Sequence, residues 1–163
     1  MTSGRVVHTA RMRFTKTFSE QQYDQALDAW SWLGLEGRKP LFTSLFGDVF
    51  LAGGDGCWYL DTIEGALTRV WASADELERE LSTEQGQDRY LLGGLAAQAD
   101  ARGLRLGPDQ VYTFMPPPVI GGGVTVESVV VESFTVAVNI AGQIHEQVRD
   151  LPPGTSITGV TLG

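Results

Sequence analysis

Cysteine and histidine are scarce in this sequence. Its 163 residues include one cysteine, Cys57, and two histidines, His8 and His145. A lone cysteine excludes an internal disulfide and a multi-thiolate metal site, and two histidines argue against a histidine-rich zinc site. Cys57 lies in a predicted strand next to the aromatic residues Trp58 and Tyr59, where cysteine acts as a small hydrophobe. His145 is expected to be a surface or capping residue. We therefore expect no metal and no cofactor, and we assign no catalytic residue.

Long apolar runs are also missing. No stretch approaches the roughly 18–20 apolar residues that a membrane span needs. The N-terminus, MTSGRVVHTARMRFTKTFSE, lacks the apolar core of a secretory signal. These features predict a cytoplasmic protein that makes no contact with a membrane.

Positive charge is sparse beyond residue 40. The chain has 12 basic and 20 acidic residues and a formal charge of −8. Residues 1–40 contribute six basic and four acidic side chains (+2), and residues 41–163 contribute six and sixteen (−10). Such a surface repels phosphate backbones, which disfavours direct nucleic-acid binding, and it attracts a basic partner protein. Solubility alone is the simpler explanation of the same charge.

The composition that remains is that of a globular domain. Hydrophobic residues make up 42% of the chain, enough at this length to bury a core. Strand signals and helix signals fall into runs, which predicts an α+β fold with a mostly antiparallel, curved sheet and three to four packed helices. We expect one domain over residues 18–163, preceded by an N-terminal arm at 1–17 that is either frayed or an edge strand.

The segment 46–72 is expected to organise the fold. Its sequence, FGDVFLAGGDGCWYLDTIEGALTRVWA, predicts three successive strands joined by tight turns at 53–56 and 61–65. A further short strand is predicted just before it, at 40–45.

Helices are predicted on both sides of this segment. A capping box of Ser19 with Gln22 begins a first helix, whose apolar face includes Trp30 as a core residue. Similar signals predict a short helix after Ser73, and apolar spacing predicts a third helix over 88–102. Two glycines inside the third helix weaken it, and Gly103 is placed to cap it in a left-handed conformation.

The last third of the chain predicts mainly strands. A strand at 110–115 stops at three prolines, and alternating apolar residues over 124–140 predict a long strand. Helical spacing follows at 142–151, and a last short strand is expected at 157–162.

Acidic residues collect on the turns of the central strands. Asp48, Asp55 and Asp61 stand where strands begin or end, and Glu64 lies in the second turn. Turn capping explains Asp55 and Asp61 without a ligand, and the spacing of the aspartates does not match an EF-hand loop for calcium. We take Asp48, Asp55, Asp61 and Glu64 as candidate contacts with a basic partner protein.

Four blocks of sequence, taken in order, resemble a known bacterial family. They are WSWL at 30–33, LFGDVFLAGGDGCWYLDTIEGALTRVWAS at 45–73, VYTFMPPPVIGG at 111–122 and GQIHEQVRDLPPGTSI at 142–157. That family, formerly of unknown function, is found as the C-terminal domain of immunity proteins that neutralise type VI secretion DNase toxins. The resemblance covers roughly residues 28–160. It implies a non-enzymatic, cytoplasmic module that occludes the active site of a basic, nuclease-like effector, and it assigns no catalytic residue.

Two other functions remain open from the sequence. One is a small-ligand-binding or hydrolytic enzyme domain with a pocket beside the loop 116–123, which a deep cleft with converging carboxylates would favour. The other is a homo-oligomer that buries Trp32 or Trp58 between subunits.

Overall fold

The computed structural model describes residues 13–152, 154–157 and 159–163. This part of the chain has an α+β fold, as predicted, with two antiparallel sheets. Its strands are β1 (Thr15–Lys16), β2 (Lys39–Ser44), β3 (Val49–Gly53), β4 (Gly56–Asp61), β5 (Ala66–Trp71), β6 (Gln110–Phe114) and β7 (Val129–Ser133). Its α-helices are α1 (Glu20–Leu27), α2 (Ala74–Leu81), α3 (Glu84–Leu91), α4 (Gly93–Ala101) and α5 (Phe134–Val148). No helix of these ranges has the length and apolar character needed to cross a membrane.

The larger sheet contains β1 to β5 in sequence order, every neighbour antiparallel. The three strands predicted in 46–72 are β3, β4 and β5, joined by the two predicted turns. Strand β1 pairs with β2, so the described end of the predicted arm is an edge strand. Residues 1–12 of that arm lie outside the described residues.

Helices cover both faces of this sheet. Val49 and Leu51 pack in one core cluster with Trp30 and residues of α1 and α5, whereas Phe50 packs in a second cluster with residues of α2, α3 and α4. Successive residues of a strand point to opposite faces, and all three of these strand residues are fully buried. The central strand is therefore apolar throughout rather than alternating, because neither of its faces meets water.

The first helix begins as predicted. The reciprocal capping box of Ser19 and Gln22 is present, but the α-helix stops at Leu27 and a 3-10 helix continues over Asp28–Leu33. Trp30, in that 3-10 helix, is a core residue as predicted and donates its indole N–H to the carbonyl oxygen of Val138 at 2.8 Å.

The helix predicted over 88–102 is two helices. Leu92 adopts a left-handed conformation (φ +51°) that ends α3, and α4 begins at Gly93. Asp88 stabilises the break by accepting a hydrogen bond from the backbone N–H of Gly94 at 3.0 Å. The predicted left-handed cap at Gly103 is confirmed (φ +82°).

The long strand predicted over 124–140 is wrong. Strand β7 ends at Ser133, and α5 begins at Phe134. The apolar residues at 134, 136, 138 and 140 fit a period of two, but Phe134 and Val138 also fit the spacing of one helical turn. These two are buried, whereas Val136 is 44% exposed, which matches a helix.

The last strand predicted at 157–162 is also absent from the described residues there. The backbone N–H of Thr161 instead bonds to the side-chain oxygen of Gln147 at 2.9 Å, and that of Gly163 bonds to the side-chain oxygen of Gln143 at 2.7 Å. These two glutamines lie one turn apart on α5, so the end of the chain is held by a helix rather than by a sheet.

Candidate functional site

The turn between β4 and β5, residues 61–65, is fixed by its own backbone and by Asp61. The Asp61 carboxylate accepts hydrogen bonds from the backbone N–H groups of Ile63 (3.0 Å) and Glu64 (3.1 Å). The N–H of Gly65 donates to the carbonyl oxygen of Asp61 at 2.8 Å. Asp61 is thus the turn-capping residue that the sequence indicated. Glu64 belongs to this hydrogen-bonded turn, and its side chain is exposed.

Asp48 lies beneath this turn and is not a surface residue. It is 1% exposed. One carboxylate oxygen accepts hydrogen bonds from the N–H (2.8 Å) and the hydroxyl (2.7 Å) of Thr62, and the other accepts one from the Ser44 hydroxyl at 3.2 Å. The prediction that Asp48 contacts a partner is therefore wrong, because both of its carboxylate oxygens are buried and hydrogen-bonded within the domain.

The surroundings of Asp48 make it a titratable group near neutral pH. Burial and, to a smaller extent, the negative charge of Asp61 raise the pKa of Asp48 to about 7. The hydrogen bonds from Thr62 and Ser44 act in the opposite direction and lower this pKa. Burial is also the main cause that raises the pKa of Tyr59, and the charge of Asp48 adds to it.

His145 contacts the same turn at Thr62 and Gly65. Its Nε2 lies 2.9 Å from the carbonyl oxygen of Thr62, and its ring packs so closely on Gly65 that a Cβ there would have no room. Contrary to the expectation of a surface or capping residue, His145 is 6% exposed. Burial lowers the pKa of His145, opposed by the hydrogen bond to Thr62 and by the charge of Asp61. The neutral ring therefore donates its Nε2 proton to Thr62.

A cavity of about 100 Å³ lies between α5, the 61–65 turn and the segment 113–119. We call it the α5 cavity. It is where a pocket was expected, beside the loop 116–123. Its walls are mainly apolar and include Phe46, Ile63, Phe114, Val119, Ala141 and Ile144.

The α5 cavity adjoins a more open groove at the surface, which we call the outer groove. Both are lined by Ile63, Val119 and His145, among others. The outer groove adds polar and charged groups: Trp32, Glu64 and Arg149, with the Arg149 guanidinium 5.3 Å from the centre of the Trp32 ring. Glu64 thus lies at the rim of an apolar recess.

Asp55 lies at the opposite end of β4 from Asp61, about 20 Å away along the strand. Its carboxylate accepts a hydrogen bond from the Trp58 indole at 2.9 Å, and this bond is the main cause that lowers the pKa of Asp55. Arg69 donates to its carbonyl oxygen at 2.6 Å. The four predicted contact residues therefore do not form one patch: Asp61 and Glu64 share a turn, Asp55 is remote and Asp48 is buried.

The structure does not bring Cys57 and His145 together. Cys57 is buried on the face of the sheet covered by α2 to α4, and His145 lies on α5 at the opposite face. Within the described ranges, no group of three or more histidine, cysteine, aspartate or glutamate side chains could hold a metal ion.

Sequence reasoning missed the most acidic surface. Residues 75–88, which we call the acidic helical segment, carry six carboxylates and one basic residue, Arg79. They form α2 and α3, and Asp75, Glu76 and Glu84 are exposed. The signal was present in the sequence as a local run of acidic residues, where only a short helix after Ser73 was predicted.

Comparison with known proteins gives the fold alone. No protein-family model and no curated protein matches the sequence. The structure is similar to the crystal structure of Atu4351 from Agrobacterium tumefaciens, with a TM-score of 0.55 and 20% identity over 80% of this chain. The chain spans 66% of the length of that protein. A likeness at this identity supports the α+β architecture described above and assigns no activity.

Proposed function

We propose that this chain is a cytoplasmic, non-enzymatic binding protein that neutralises a basic, nuclease-like toxin by covering its active site. The proposal joins the resemblance to type VI immunity proteins with the charge of the folded domain. A nuclease presents a basic surface to its phosphate substrate, and an acidic protein of matching shape competes for that surface.

The observation that carries the proposal is the concentration of acidic groups on the acidic helical segment. It has a net formal charge of −5 from six carboxylates and Arg79. Asp75, Glu76 and Glu84 in this segment are exposed. A cationic partner would therefore find the charge of these three side chains accessible.

Charge of this kind acts chiefly on the rate of encounter and on the choice of partner, whereas buried apolar contacts supply most of the affinity. Glu64 and Asp61 remain candidate contacts because their turn is rigid and lies beside the α5 cavity. Asp48 keeps a role as a positioning residue beneath that turn.

The direct test is neutralisation of a basic toxin encoded beside the gene for this chain. The purified protein should form a complex with that toxin at physiological salt and inhibit its nuclease activity. A double variant, Glu76→Lys with Glu84→Lys, should slow association, and Glu20→Lys with Asp24→Lys on α1 is the matched control. If no adjacent product binds, or if both double variants behave alike, the proposal is wrong.

The hydrolytic alternative has weaker structural support. Glu132 is the carboxylate that lines the α5 cavity among the described residues, and its oxygen accepts a hydrogen bond from the Ser133 N–H at 2.8 Å. Asp48 directs its oxygens to Thr62 and Ser44 instead. Two carboxylates converging on one reacting atom, as acid–base hydrolysis requires, are not found there.

A further inference from the structure

The α5 cavity is bounded by parts of the chain that are distant in sequence. Ile63 comes from the 61–65 turn, Phe114 from the end of β6, Val119 from the proline-containing loop and Ile144 from α5. Met115 stands at its wall and is 58% exposed, so it marks the side that opens to solvent.

The polar groups at its walls are largely engaged elsewhere. The Thr62 hydroxyl donates to Asp48 at 2.7 Å, and the Nε2 of His145 donates to the Thr62 carbonyl. A buried water needs two to four polar partners, which these groups do not offer. The interior of the cavity therefore favours an apolar occupant over water.

Two features keep the cavity open. Ala137 and Ala141, one helical turn apart on α5, present only methyl groups to it. The loop 116–123 is fixed by hydrogen bonds within itself, because Ile120 and Gly122 donate their N–H groups to the carbonyl oxygen of Pro117 at 3.1 and 3.0 Å. These bonds hold the loop in one shape beside the cavity. An apolar molecule in this cavity would gain dispersion contacts with the side chains that line it.

We propose that the α5 cavity is a binding site for a small, uncharged, apolar molecule that places no more than one ring inside it. An apolar cavity of about 150 Å³ holds benzene. The present cavity is smaller but shares Ile63, Val119 and His145 with the outer groove. We therefore place the ring where the two meet, with a polar substituent projecting towards Trp32 and Arg149.

Glu132, the carboxylate at the cavity walls, is exposed and accepts a hydrogen bond from the Ser133 N–H. An ionised ligand in the inner part would therefore lose water without gaining a buried charge of opposite sign, which excludes it there. The site is independent of the toxin-neutralising function.

The test is a titration of the methyl-labelled protein with benzene, followed by NMR, with benzoate as the charged comparison. We expect saturable shifts of the methyl signals of Ile63, Val119 and Ile144 with benzene. Ala141→Leu, which fills the cavity, should weaken this binding by at least about tenfold. Ala101→Leu makes the same change at an exposed position of α4 and should leave it unaltered.

Absence of saturable shifts at these methyl groups overturns the proposal. So does binding that Ala141→Leu leaves unchanged, or binding of benzoate as tight as that of benzene. If Ala141→Leu does not fold, Ala137→Val, a smaller filling change on the same wall, replaces it and the same criterion applies.

Discussion

Asp48 and His145 hydrogen-bond to different atoms of the same residue, Thr62. Asp48 accepts the N–H and the hydroxyl of Thr62 at 2.8 and 2.7 Å, and His145 Nε2 lies 2.9 Å from its carbonyl oxygen. Both groups are buried and both have altered pKa values, in opposite directions. The turn that carries Glu64 therefore depends on two buried titratable side chains.

Replacing Asp48 by asparagine should change how stability depends on pH. A carboxyl whose pKa rises from 3.8 to about 7 on folding binds more protons in the folded chain between these values. Its contribution to the free energy of unfolding therefore falls as pH rises through that window, by a few kcal/mol in total. In Asp48→Asn this fall should vanish, as measured by denaturant unfolding at pH 4 to 8.

Asp75→Asn makes the same chemical change at the surface and is the control for this measurement. If Asp48→Asn and the unmodified protein show parallel pH profiles, the carboxyl of Asp48 does not titrate in that window.

Replacing His145 by glutamine should have the opposite effect on the pH profile. Since burial lowers the pKa of His145 from 6.5, the folded chain binds fewer protons than the unfolded chain below that pH. This group therefore lowers the free energy of unfolding as pH falls below about 6.5, and the loss should be absent in His145→Gln. Glutamine keeps an N–H donor for Thr62. A variant that loses stability towards acid as steeply as the unmodified protein would contradict this.

Gly65→Ala should destabilise the fold more than Gly103→Ala. Both glycines have positive φ, +72° and +82°, which costs alanine about 1–2 kcal/mol. A Cβ at Gly65 also collides with the His145 ring, whereas a Cβ at Gly103 meets nothing within 4 Å. Both variants are compared by denaturant unfolding. The amount by which Gly65→Ala lowers the free energy of unfolding more than Gly103→Ala does measures the close contact with His145. Equal losses would show that the ring moves aside freely.

Trp30→Phe should cost about 2–4 kcal/mol, because it opens space in the core and removes the buried hydrogen bond from the indole N–H to the Val138 carbonyl. Trp58→Phe removes a comparable indole donor from a half-buried site beside Asp55 and should cost less than about 1 kcal/mol. Similar losses of the free energy of unfolding in the two variants would contradict the central position of Trp30.

The sequence predicted the parts of the fold that short-range chemistry decides. The capping box of Ser19 with Gln22, the left-handed Gly103 and the three strands of 46–72 all rest on residues close in the chain, and all are present. The segment 134–140 was misread because its apolar spacing fits a strand and a helix equally well. Only burial of Phe134 and Val138 against other elements decides between them.

The candidate site was less accessible to such reasoning. Asp48 is buried because Thr62, fourteen residues away, supplies two donors to it, and His145 is buried because Thr62 accepts from it across eighty-three residues. No local pattern encodes these pairings. The ligand-binding or enzymatic alternative placed a pocket beside the loop 116–123, and the α5 cavity lies there.

The most direct test of the central claim is the association rate of this chain with the basic toxin encoded beside it, measured at several salt concentrations. We predict rapid association that slows steeply with added salt and a complex in which nuclease activity is lost. A complex whose formation is insensitive to salt, or one that leaves the nuclease active, would contradict the claim.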